Sequence, residues 1–361
     1  MALSKIPSAG FQDNVKFRNL VINGDMSIAQ RGTSTASVST TQYPSLDRFQ
    51  MFTQTAGSAV FTVSQDTDVP SGQGFSKSHK IDVTTALGTY GASNFTILRQ
   101  RFEGQMLGYL KKGTANAESL TLSFWVKSNK TGTYIAELRD RDNSRQISKA
   151  YTISSANTWE KKILTYAGDT SGSLTLDNSA AIDLDFYLSA GSNYTSGTLQ
   201  TSWGSEVDAN RAVGQVNLAD STSNEWYITG VQLEAGTTAS DFEFLPIDVN
   251  KNRCLRYYEK IASGTPHALT VGANYTATDV YSVLTFFPKR TAPSLDQTTG
   301  SNYYQHIRRS TTSAFSQFLM NQALDNRFRF YITGIGSTTT GTAGWFATNN
   351  ANSYIAVDAE L

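Results

Sequence analysis

The stretch that decides the fold runs from Trp226 to Ile261 and reads WYITGVQLEAGTTASDFEFLPIDVNKNRCLRYYEKI. It begins with alternating aromatic and β-branched residues, which are typical of a strand, and continues through a Gly/Thr/Ser turn to an apolar segment that contains Pro246. From Asp248, a residue type that caps helices, the apolar period changes from two to about 3.6, which predicts a helix from Asp248 to Ile261. The stretch therefore predicts one β-domain upstream, a linking helix, and a second β-domain downstream.

Short alternating runs separated by Gly/Ser/Thr turns fill the chain upstream of this stretch. The clearest, SLTLSFWVKS, places four apolar side chains on one face, namely Leu120, Leu122, Phe124 and Val126. The run IDLDFYLS repeats the pattern and places Asp183, Asp185 and Tyr187 on the outward face. Such alternation is typical of antiparallel sheets with one face on a core and the other toward solvent or a partner. Many strands and few helices predict an all-β fold, a jelly-roll β-sandwich.

The same reasoning divides all 361 residues into four parts. Residues 1–17 show no sustained periodicity and form either a frayed terminus or an attachment arm. Residues 18–246 form the jelly-roll domain, 247–264 the linking helix, and 265–361 a second, smaller C-terminal β-sandwich. In that last part the alternation is clearest where three apolar residues oppose two arginines and a tyrosine: Phe328, Phe330 and Ile332 against Arg327, Arg329 and Tyr331.

Composition excludes several classes of function. Thirty acidic and thirty basic residues give no net charge, so we expect no nucleic-acid partner and no attraction to an anionic membrane. The single cysteine, Cys254, excludes an intrachain disulfide framework and a zinc cluster. No apolar run approaches the roughly 18 residues of a membrane span, and the N-terminus lacks the features of a secretory signal.

The sequence carries little that predicts catalysis. It has no G-x-S-x-G elbow, no P-loop and no H-E-x-x-H motif. Asp183 and Asp185 would lie about 7 Å apart by strand rise, a separation that a glycosidase could use. Strand alternation already explains both as a solvated face. We therefore predict no catalytic residue, no enzyme activity and no cofactor.

Aromatic residues are the remaining functional signal, with 17 Tyr, 19 Phe and 5 Trp. Sugar rings stack on exposed aromatic faces while neighbouring polar groups bind the hydroxyls. Trp125 and Tyr187 lie opposite the core phase of their strands, and Tyr303 and Tyr304 lie in a polar segment. These four are the predicted ligand-binding residues, although an outward aromatic can equally belong to a protein interface.

Several motifs together carry a resemblance to a known family. They are NLVINGDMSIAQRGTS (19–34), SFWVKSNKTGTY (123–134), WEKKILTYAGDTSG (159–172), WYITGVQLEAG (226–236) and RCLRYYEK (253–260). As a set they resemble a jelly-roll module found in tail-fibre and other surface proteins of bacteriophages, especially those of marine bacteria. More distantly, the opening and closing motifs are similar to carbohydrate-binding modules with a jelly-roll fold.

The resemblance implies a structural virion component, on the tail or the capsid surface, that adheres to host-surface glycans. It implies attachment to other virion proteins through the N-terminal arm and a homotrimer, whose contact we expect on the linking helix at Leu255, Tyr257, Tyr258 and Ile261. A polysaccharide-degrading depolymerase and a free-standing lectin are the alternatives, because fold alone does not separate them.

Similar binding modules also hold a structural calcium near their first and last strands. Asn23, Asp25 and Glu234 lie in the matching segments here. Ordinary turn and surface roles explain the same residues, and we predict no metal site.

Overall fold

The computed structural model describes residues 17–54, 59–264, 266–309, 311–335 and 339–361. Of the predicted attachment arm, only Phe17 lies within the described residues. The chain separates into two compact units, Met1–Asn250 and Lys251–Leu361. Each is described by itself below.

The first unit is a two-layer β-sandwich of the jelly-roll type, as predicted. Sheet I has the strand order β1-β3-β4-β12-β6-β9, and sheet II has the order β11-β8-β7-β10-β5-β2. The strands are β1 (Ser34–Val38), β2 (Gln50–Thr53), β3 (Val60–Asp66), β4 (Ser78–Thr85), β5 (Phe95–Glu103), β6 (Leu120–Ser128), β7 (Gly132–Asp140), β8 (Arg145–Ile153), β9 (Glu160–Tyr166), β10 (Ala180–Ala190), β11 (Gly204–Ser205) and β12 (Glu225–Ala235). A short helix α1 (Ser192–Thr195) and 3-10 turns at Gly104–Met106, Gly108–Leu110, Asp208–Asn210 and Leu218–Asp220 connect them.

The core between sheets I and II is built by the alternation seen in the sequence. The inward residues of β6 are buried against those of β10, whose apolar phase is Ile182, Leu184, Phe186 and Leu188. Aromatic rings meet edge to face at the centre, where Phe124 lies 5.1 Å from Phe186. The predicted inward faces of both strands are thereby confirmed.

The outward face of β10 is covered by a further layer, contrary to the expectation of a solvated face. Asp183, Asp185 and Tyr187 are all fully buried. The segment from α1 to residue 217 covers Tyr187, because Tyr194 and Ala212 pack in one apolar cluster with it. Arg211 of the same segment lies 3.9 Å from Asp185, and three arginines surround Asp183, namely Arg99, Arg101 and Arg141. Alternation correctly predicts which side chains point away from the core, but a covering layer depends on a segment that carries no strand periodicity.

The opening motif of the chain lies against β12, the closing strand. Leu20 N donates to Leu233 O at 2.9 Å, and Val231 N donates to Gly24 O at 2.9 Å. Asn19 extends the contact, because its Oδ1 accepts from Leu233 N. A Cβ on Gly24 would lie 2.1 Å from Val231 O, so only glycine permits this approach. The opening and closing motifs, two of the five that carry the family resemblance, thus form one structural element.

The second unit is also a β-sandwich. Sheet III has the order β13-β22-β16, and sheet IV has seven strands in the order β18-β17-β21-β14-β15-β20-β19. The strands are β13 (Tyr258–Ser263), β14 (Ala268–Asn274), β15 (Val280–Thr285), β16 (Ser294–Gln297), β17 (Tyr304–Ile307), β18 (Thr312–Phe315), β19 (Leu319–Asn321), β20 (Arg327–Ile332), β21 (Ala343–Thr348) and β22 (Tyr354–Asp358). Their shared core contains Phe318, Phe330, Phe346 and Ile355.

The linking helix is shorter than predicted. Helix α2 runs from Ile247 to Leu255, and Tyr258 begins strand β13 instead of continuing the helix. The prediction of a helix to Ile261 is wrong because β13 forms a ladder with β22, and this long-range pairing overrides the local helical period. Among the described residues, no helix has both the length and the apolarity needed to cross a membrane.

Candidate functional site

An open cleft of about 820 Å³ lies in the first unit, where β12 ends. Its walls come from three separate parts of the chain: the opening segment, the 3-10 turn at Gly108–Leu110, and the loop that follows β12. The lining residues are Phe17, Arg18, Tyr109, Glu234, Ala235, Gly236, Thr237, Thr238, Ala239 and Ser240. A cavity of this size falls within the range of small-molecule and oligosaccharide sites.

The carboxylate of Glu243 holds the opening segment at one wall of the cleft. Its Oε1 accepts from Phe17 N at 2.7 Å, and its Oε2 accepts from Asn19 N at 3.0 Å. Arg18 Nη2 donates to Asp241 O at 2.8 Å. The backbone is thereby fixed while the Phe17 ring remains 57% exposed.

Glu234 provides a fixed polar group at the base of the cleft. Its Oε1 accepts from Gln232 Nε2 at 2.9 Å and from Ser240 N at 2.8 Å, and its Oε2 accepts from Ser240 Oγ at 2.7 Å. The Arg18 Nε lies 3.6 Å from the same Oε2 and supplies the opposite charge. Since the charges of the Glu234 carboxylate and the Arg18 guanidinium balance each other, the cleft suits an uncharged ligand that offers hydrogen-bonding groups.

Tyr109 provides the second aromatic ring. It sits in the 3-10 turn Gly108–Leu110, which ends at Lys111 in the left-handed conformation with φ 52°. Its side chain is 49% exposed although it lines the cleft. Partial desolvation, together with the negative charge of Glu234, raises the pKa of Tyr109 to about 12. The phenol is therefore neutral at physiological pH and can donate a hydrogen bond.

The cleft combines two exposed aromatic rings, Phe17 and Tyr109, with a charge-balanced polar base and the exposed hydroxyl-bearing residues Thr237 and Thr238. Aromatic faces bind apolar surfaces by stacking, and hydroxyl and carboxylate groups bind hydroxyls by hydrogen bonds. A ligand with one apolar face and a polar rim therefore fits this chemistry best.

A second aromatic feature, the aromatic row, crosses the outward face of sheet I. It consists of Trp159, Lys127, Tyr227 and Lys80, with Asp68 and Glu225 as counter-ions. The register places Lys127 beside Tyr227 and Tyr227 beside Lys80. The Lys127 Nζ lies 4.2 Å from the Tyr227 ring centroid, and the Lys80 Nζ lies 5.4 Å from it.

The polar groups of the aromatic row are satisfied within the row. Tyr227 OH donates to Glu225 at 2.9 Å, Lys80 pairs with Glu225 at 2.8 Å, and Trp159 Nε1 donates to Asp68 at 2.8 Å. Lys127 also pairs with Asp68. Because these donors already have partners and the Tyr227 ring is buried, the row stabilises the sheet and suits a ligand less well than the cleft does.

Two of the four predicted ligand-binding residues remain partly exposed to solvent. Trp125 is half-buried on the outward face of β6, between Thr229 of β12 and Lys161 of β9. Tyr303 is half-buried in the second unit. Neither lines the cleft, and their roles stay predictions.

The other two residues are buried, which contradicts their assignment as ligand platforms. Tyr187 lies under the layer that covers β10, and its hydroxyl donates to Glu137 at 3.3 Å. Tyr304 belongs to the core of the second unit, and its hydroxyl donates to Tyr354 O at 2.6 Å. Tyr187 is expected to be exposed from its strand phase and Tyr304 from its polar neighbours in the sequence. Neither feature exposes the ring, because in both cases the hydroxyl finds an acceptor inside the protein.

The carboxylates considered for catalysis are occupied by arginines. Arg99 binds Asp185 through two hydrogen bonds, of 2.6 and 2.7 Å, and lies 3.4 Å from Asp183. Burial is the largest single effect and acts to raise the pKa of Asp185, but the charge and hydrogen bonds of Arg99, together with the charges of Arg211 and Arg139, hold that pKa below its ordinary value. Arg211 pairs with Glu137 at 2.8 Å, where burial keeps the pKa of the carboxyl raised despite the arginine. This network lies beneath the covering layer.

The predicted oligomer contact is contradicted in part. Tyr257 and Tyr258 are buried within the chain, and Tyr258 OH donates to Asp296 at 3.1 Å. Their rings are therefore not available to a second copy. Leu255 and Ile261 are half-buried, and their place in an interface stays a prediction.

The three residues considered for calcium have other partners. Asn23 Nδ2 donates to Ile28 O and Asp47 O at 2.9 and 3.0 Å. Asp25 accepts from Asn250 Nδ2 at 2.9 Å, and Glu234 belongs to the cleft. Within the described part of the chain, no group of three His, Cys, Asp or Glu side chains could hold a metal ion.

Sequence reasoning considered Glu234 only as a calcium ligand and missed the aromatic residues that form the cleft. Phe17 and Arg18 immediately precede the opening motif, and Tyr109 lies between strands in a run without periodicity. The Gly/Thr/Ser run behind β12 is the one sequence feature that marks a cleft wall, and its composition predicts only a turn. Tyr109 and Glu234 are far apart in sequence, and only the paired sheets bring them together.

Comparison with known proteins gives weak structural likenesses. No family model and no curated protein matches the chain. The enzymatically active domain of tailspike protein 4 from bacteriophage CBA120 is similar over 60% of this chain, with 16% identity and a TM-score of 0.32. A family 11 carbohydrate-binding module from Clostridium thermocellum, in complex with a β-1,3-1,4-mixed-linked tetrasaccharide, is similar over 53% of this chain and 91% of its own, with 9% identity and a TM-score of 0.28.

A xylan-binding domain from Paenibacillus barcinonensis is similar over 51% of this chain and 90% of its own, with 13% identity and a TM-score of 0.24. The present chain spans only 21% of the tailspike chain. Carbohydrate-binding modules and a phage tailspike domain are thus among the structural neighbours.

Proposed function

We propose that the protein binds glycans through the cleft of its first unit. The observation that carries the proposal is the pairing of two exposed rings, Phe17 and Tyr109, with the charge-balanced base formed by Glu234 and Arg18. A pyranose ring has an apolar face that stacks on an aromatic ring and a rim of hydroxyls that require hydrogen-bond partners. The balanced charge favours a neutral glycan.

The cleft supports binding better than hydrolysis. A glycosidase places two carboxyl groups about 5 to 10 Å apart across the scissile bond. Among the described residues that line the cleft, Glu234 is the one carboxylate, and two of its hydrogen bonds come from Ser240. A polysaccharide depolymerase remains the alternative function, and release of reducing ends from a bound polysaccharide would establish it.

We further propose that the protein acts as an adhesive component of a bacteriophage particle, on the tail or the capsid surface. The support is the set of sequence motifs that resembles phage surface proteins, of which the opening and closing motifs form one element here. Attachment to other virion proteins through residues 1–17 and a homotrimeric state belong to the same proposal.

The test is a glycan microarray probed with the full-length protein, followed by titration of the strongest neutral oligosaccharide. Tyr109→Ala removes a stacking ring, and we expect affinity about tenfold weaker, which corresponds to about 1.4 kcal/mol. Tyr109→Phe keeps the ring and should retain most of the binding, so the two variants separate stacking from hydrogen bonding.

Trp159→Ala is the matched control, because Trp159 is a partly exposed aromatic of the same unit that does not line the cleft. We expect it to bind like the unmodified protein. Equal loss in Trp159→Ala and Tyr109→Ala, or no loss in either, would remove the cleft as the glycan site. Absence of any bound glycan on a broad array would count against glycan binding itself.

A further inference from the structure

The outward face of sheet IV carries a row of side chains that crosses five strands, of which four contribute an apolar residue and β20 contributes Arg329. The register places Ile307 beside Trp345, Trp345 beside Val271, and Val283 beside Arg329. Trp345, Val271 and Val283 are 51%, 65% and 55% exposed. The row therefore holds large apolar groups in contact with solvent on adjacent strands.

A second row runs parallel to the first and consists largely of tyrosines. Ala273 is paired with Tyr281, and Tyr281 with Tyr331. The exposed ring of Tyr275 packs on Tyr281 at 5.0 Å, and Tyr281 lies 5.3 Å from Tyr331. Together the two rows give the face a continuous apolar and aromatic surface.

The opposite face of the same sheet already fills the core of the second unit. Phe330 and Phe346 are fully buried there, and Phe318 stacks on Phe330 with 3.8 Å between centroids. The unit thus has its core without the outward rows. An exposed apolar face on a sheet whose inner face is already packed indicates an interaction surface.

The composition of the face is that of a protein interface. None of the seven strands, whose residues are all described, contains Lys, Asp or Glu. Protein interfaces are enriched in Trp, Tyr and Arg and depleted in exactly those three charged residue types relative to other surface. Sugar hydroxyls over Val271, Val283 and Ile307 would find Arg329 as the one polar side chain in the row.

The one charged group in the rows needs no partner from another molecule. Arg329 Nε donates to Asn321 Oδ1 at 2.6 Å, and its guanidinium lies 5.0 Å from the Tyr281 ring centroid. The charge is therefore accommodated within the sheet. Arg327 lies on the same face beside Thr285, is exposed, and belongs to neither row. The two rows are otherwise uncharged and are complementary to another apolar face.

The size of the face suits a stable contact between proteins. The strands have three to seven residues, about five on average, so seven strands at about 4.8 Å spacing and about 3.4 Å per residue cover roughly 600 Å². This area is at the lower end of the ~600 to 1,000 Å² that each partner contributes to a standard interface. Two sheets pack face to face when both faces are apolar.

We propose that the outward face of sheet IV is a self-association surface that packs against the same face of a second copy of this chain. The proposal goes beyond glycan binding and involves none of the cleft residues. It places the contact between copies on a sheet face, in contrast to the buried tyrosines at the end of helix α2. Both a two-fold pair and a three-fold prism of sheets bury this face, and the native mass distinguishes them.

Sedimentation velocity of the full-length protein across a concentration series tests the proposal. The unmodified protein should sediment as a dimer or trimer. Val271→Asp and Val283→Asp each place carboxylates of like sign within the contact, and we expect each to weaken association at least tenfold. Far-UV circular dichroism checks that each variant is folded. Because there are two separate variants, the test remains valid if one of them fails to fold.

Leu324→Asp is the matched control, because Leu324 is a 48% exposed apolar residue of the second unit outside the two rows. It should leave the mass unchanged. A monomeric unmodified protein would overturn the proposal, as would an oligomer that both Val→Asp variants leave intact. A monomer whose glycan binding is lost in Val271→Asp would instead make the face a sugar site. If Tyr109→Ala is the only variant that loses glycan binding, the result concerns the cleft and not the self-association surface.

Discussion

A single glycine determines how closely the opening motif approaches the closing strand. Gly24 accepts a hydrogen bond from Val231 N through its carbonyl, and its missing Cβ leaves room for the Val231 carbonyl. This contact joins the start of the jelly roll to β12 and so supports the wall of the cleft that holds Phe17. The sequence marks the position as an Asn-Gly turn, but it does not show what the turn packs against.

We predict that Gly24→Ala destabilises the protein by about 1 to 3 kcal/mol, because the added methyl would lie 2.1 Å from the backbone oxygen of Val231, so the two backbone segments must move apart. Urea unfolding measures the change. Gly88→Ala is the control, since a Cβ at Gly88 would meet no atom within 4 Å. Equal stability of the two variants would show that the approach of the opening motif is not tight.

His79 is a buried titratable group with a measurable consequence. Its ring packs on Phe49, and within the described residues neither ring nitrogen has a hydrogen-bond partner. Burial lowers the pKa of His79 to about 3. In the unfolded chain the pKa is near 6.5, so the unfolded state takes up a proton first as the pH falls.

His79 therefore contributes stability that is complete above pH 6.5 and is lost as the pH falls toward 3. Between pH 7 and pH 5 the loss should be about 2 kcal/mol in the free energy of unfolding. We predict that His79→Leu reduces this pH dependence, as measured by urea unfolding at both pH values. Substitution of the exposed His267 by Leu is the control, and an unchanged slope in His79→Leu would contradict the prediction.

At the scale of elements, the inward and outward residues of the alternating strands were predictable, because the apolar side of each strand packs on a core. The inward residues of β6 and β10 follow directly from the pattern. The covering layer on β10 was not predictable, since the segment from α1 to residue 217 has no strand period and reaches Tyr187 through Tyr194 and Ala212. Strand β13 was assigned to a helix for the related reason that its partner β22 lies about a hundred residues further along the chain.

The network beneath the covering layer gives a prediction at this scale. Arg99→Met leaves Asp185 buried without the arginine that binds it through two hydrogen bonds, which should cost about 3 to 5 kcal/mol in the free energy of unfolding. Asp183 keeps Arg101 and Arg141 as counter-charges. Arg139→Met is the matched control, because Arg139 pairs with Glu206 where both side chains reach solvent. That pair should contribute no more than about 1 kcal/mol. Similar costs for both variants would mean that the covering layer does not isolate the network from water.

At the scale of the whole molecule, two β-units with separate cores were predictable, and the binding cleft was not. The cores follow from periodicity that is local in sequence. The cleft brings together Phe17, Tyr109 and Glu234, which stand in three distant segments, none of which has a motif for binding. Aromatic residues selected for an outward strand phase, such as Tyr187, proved to be buried, because exposure depends on what the rest of the chain covers.

Calorimetry shows whether the cleft binds glycans, when the affinity for the strongest neutral array glycan is compared between the full-length protein, Tyr109→Ala and Trp159→Ala. We predict that Tyr109→Ala weakens binding about tenfold while Trp159→Ala binds as the unmodified protein does. Unchanged affinity in Tyr109→Ala, with the fold intact, would contradict the assignment of the cleft as the glycan site.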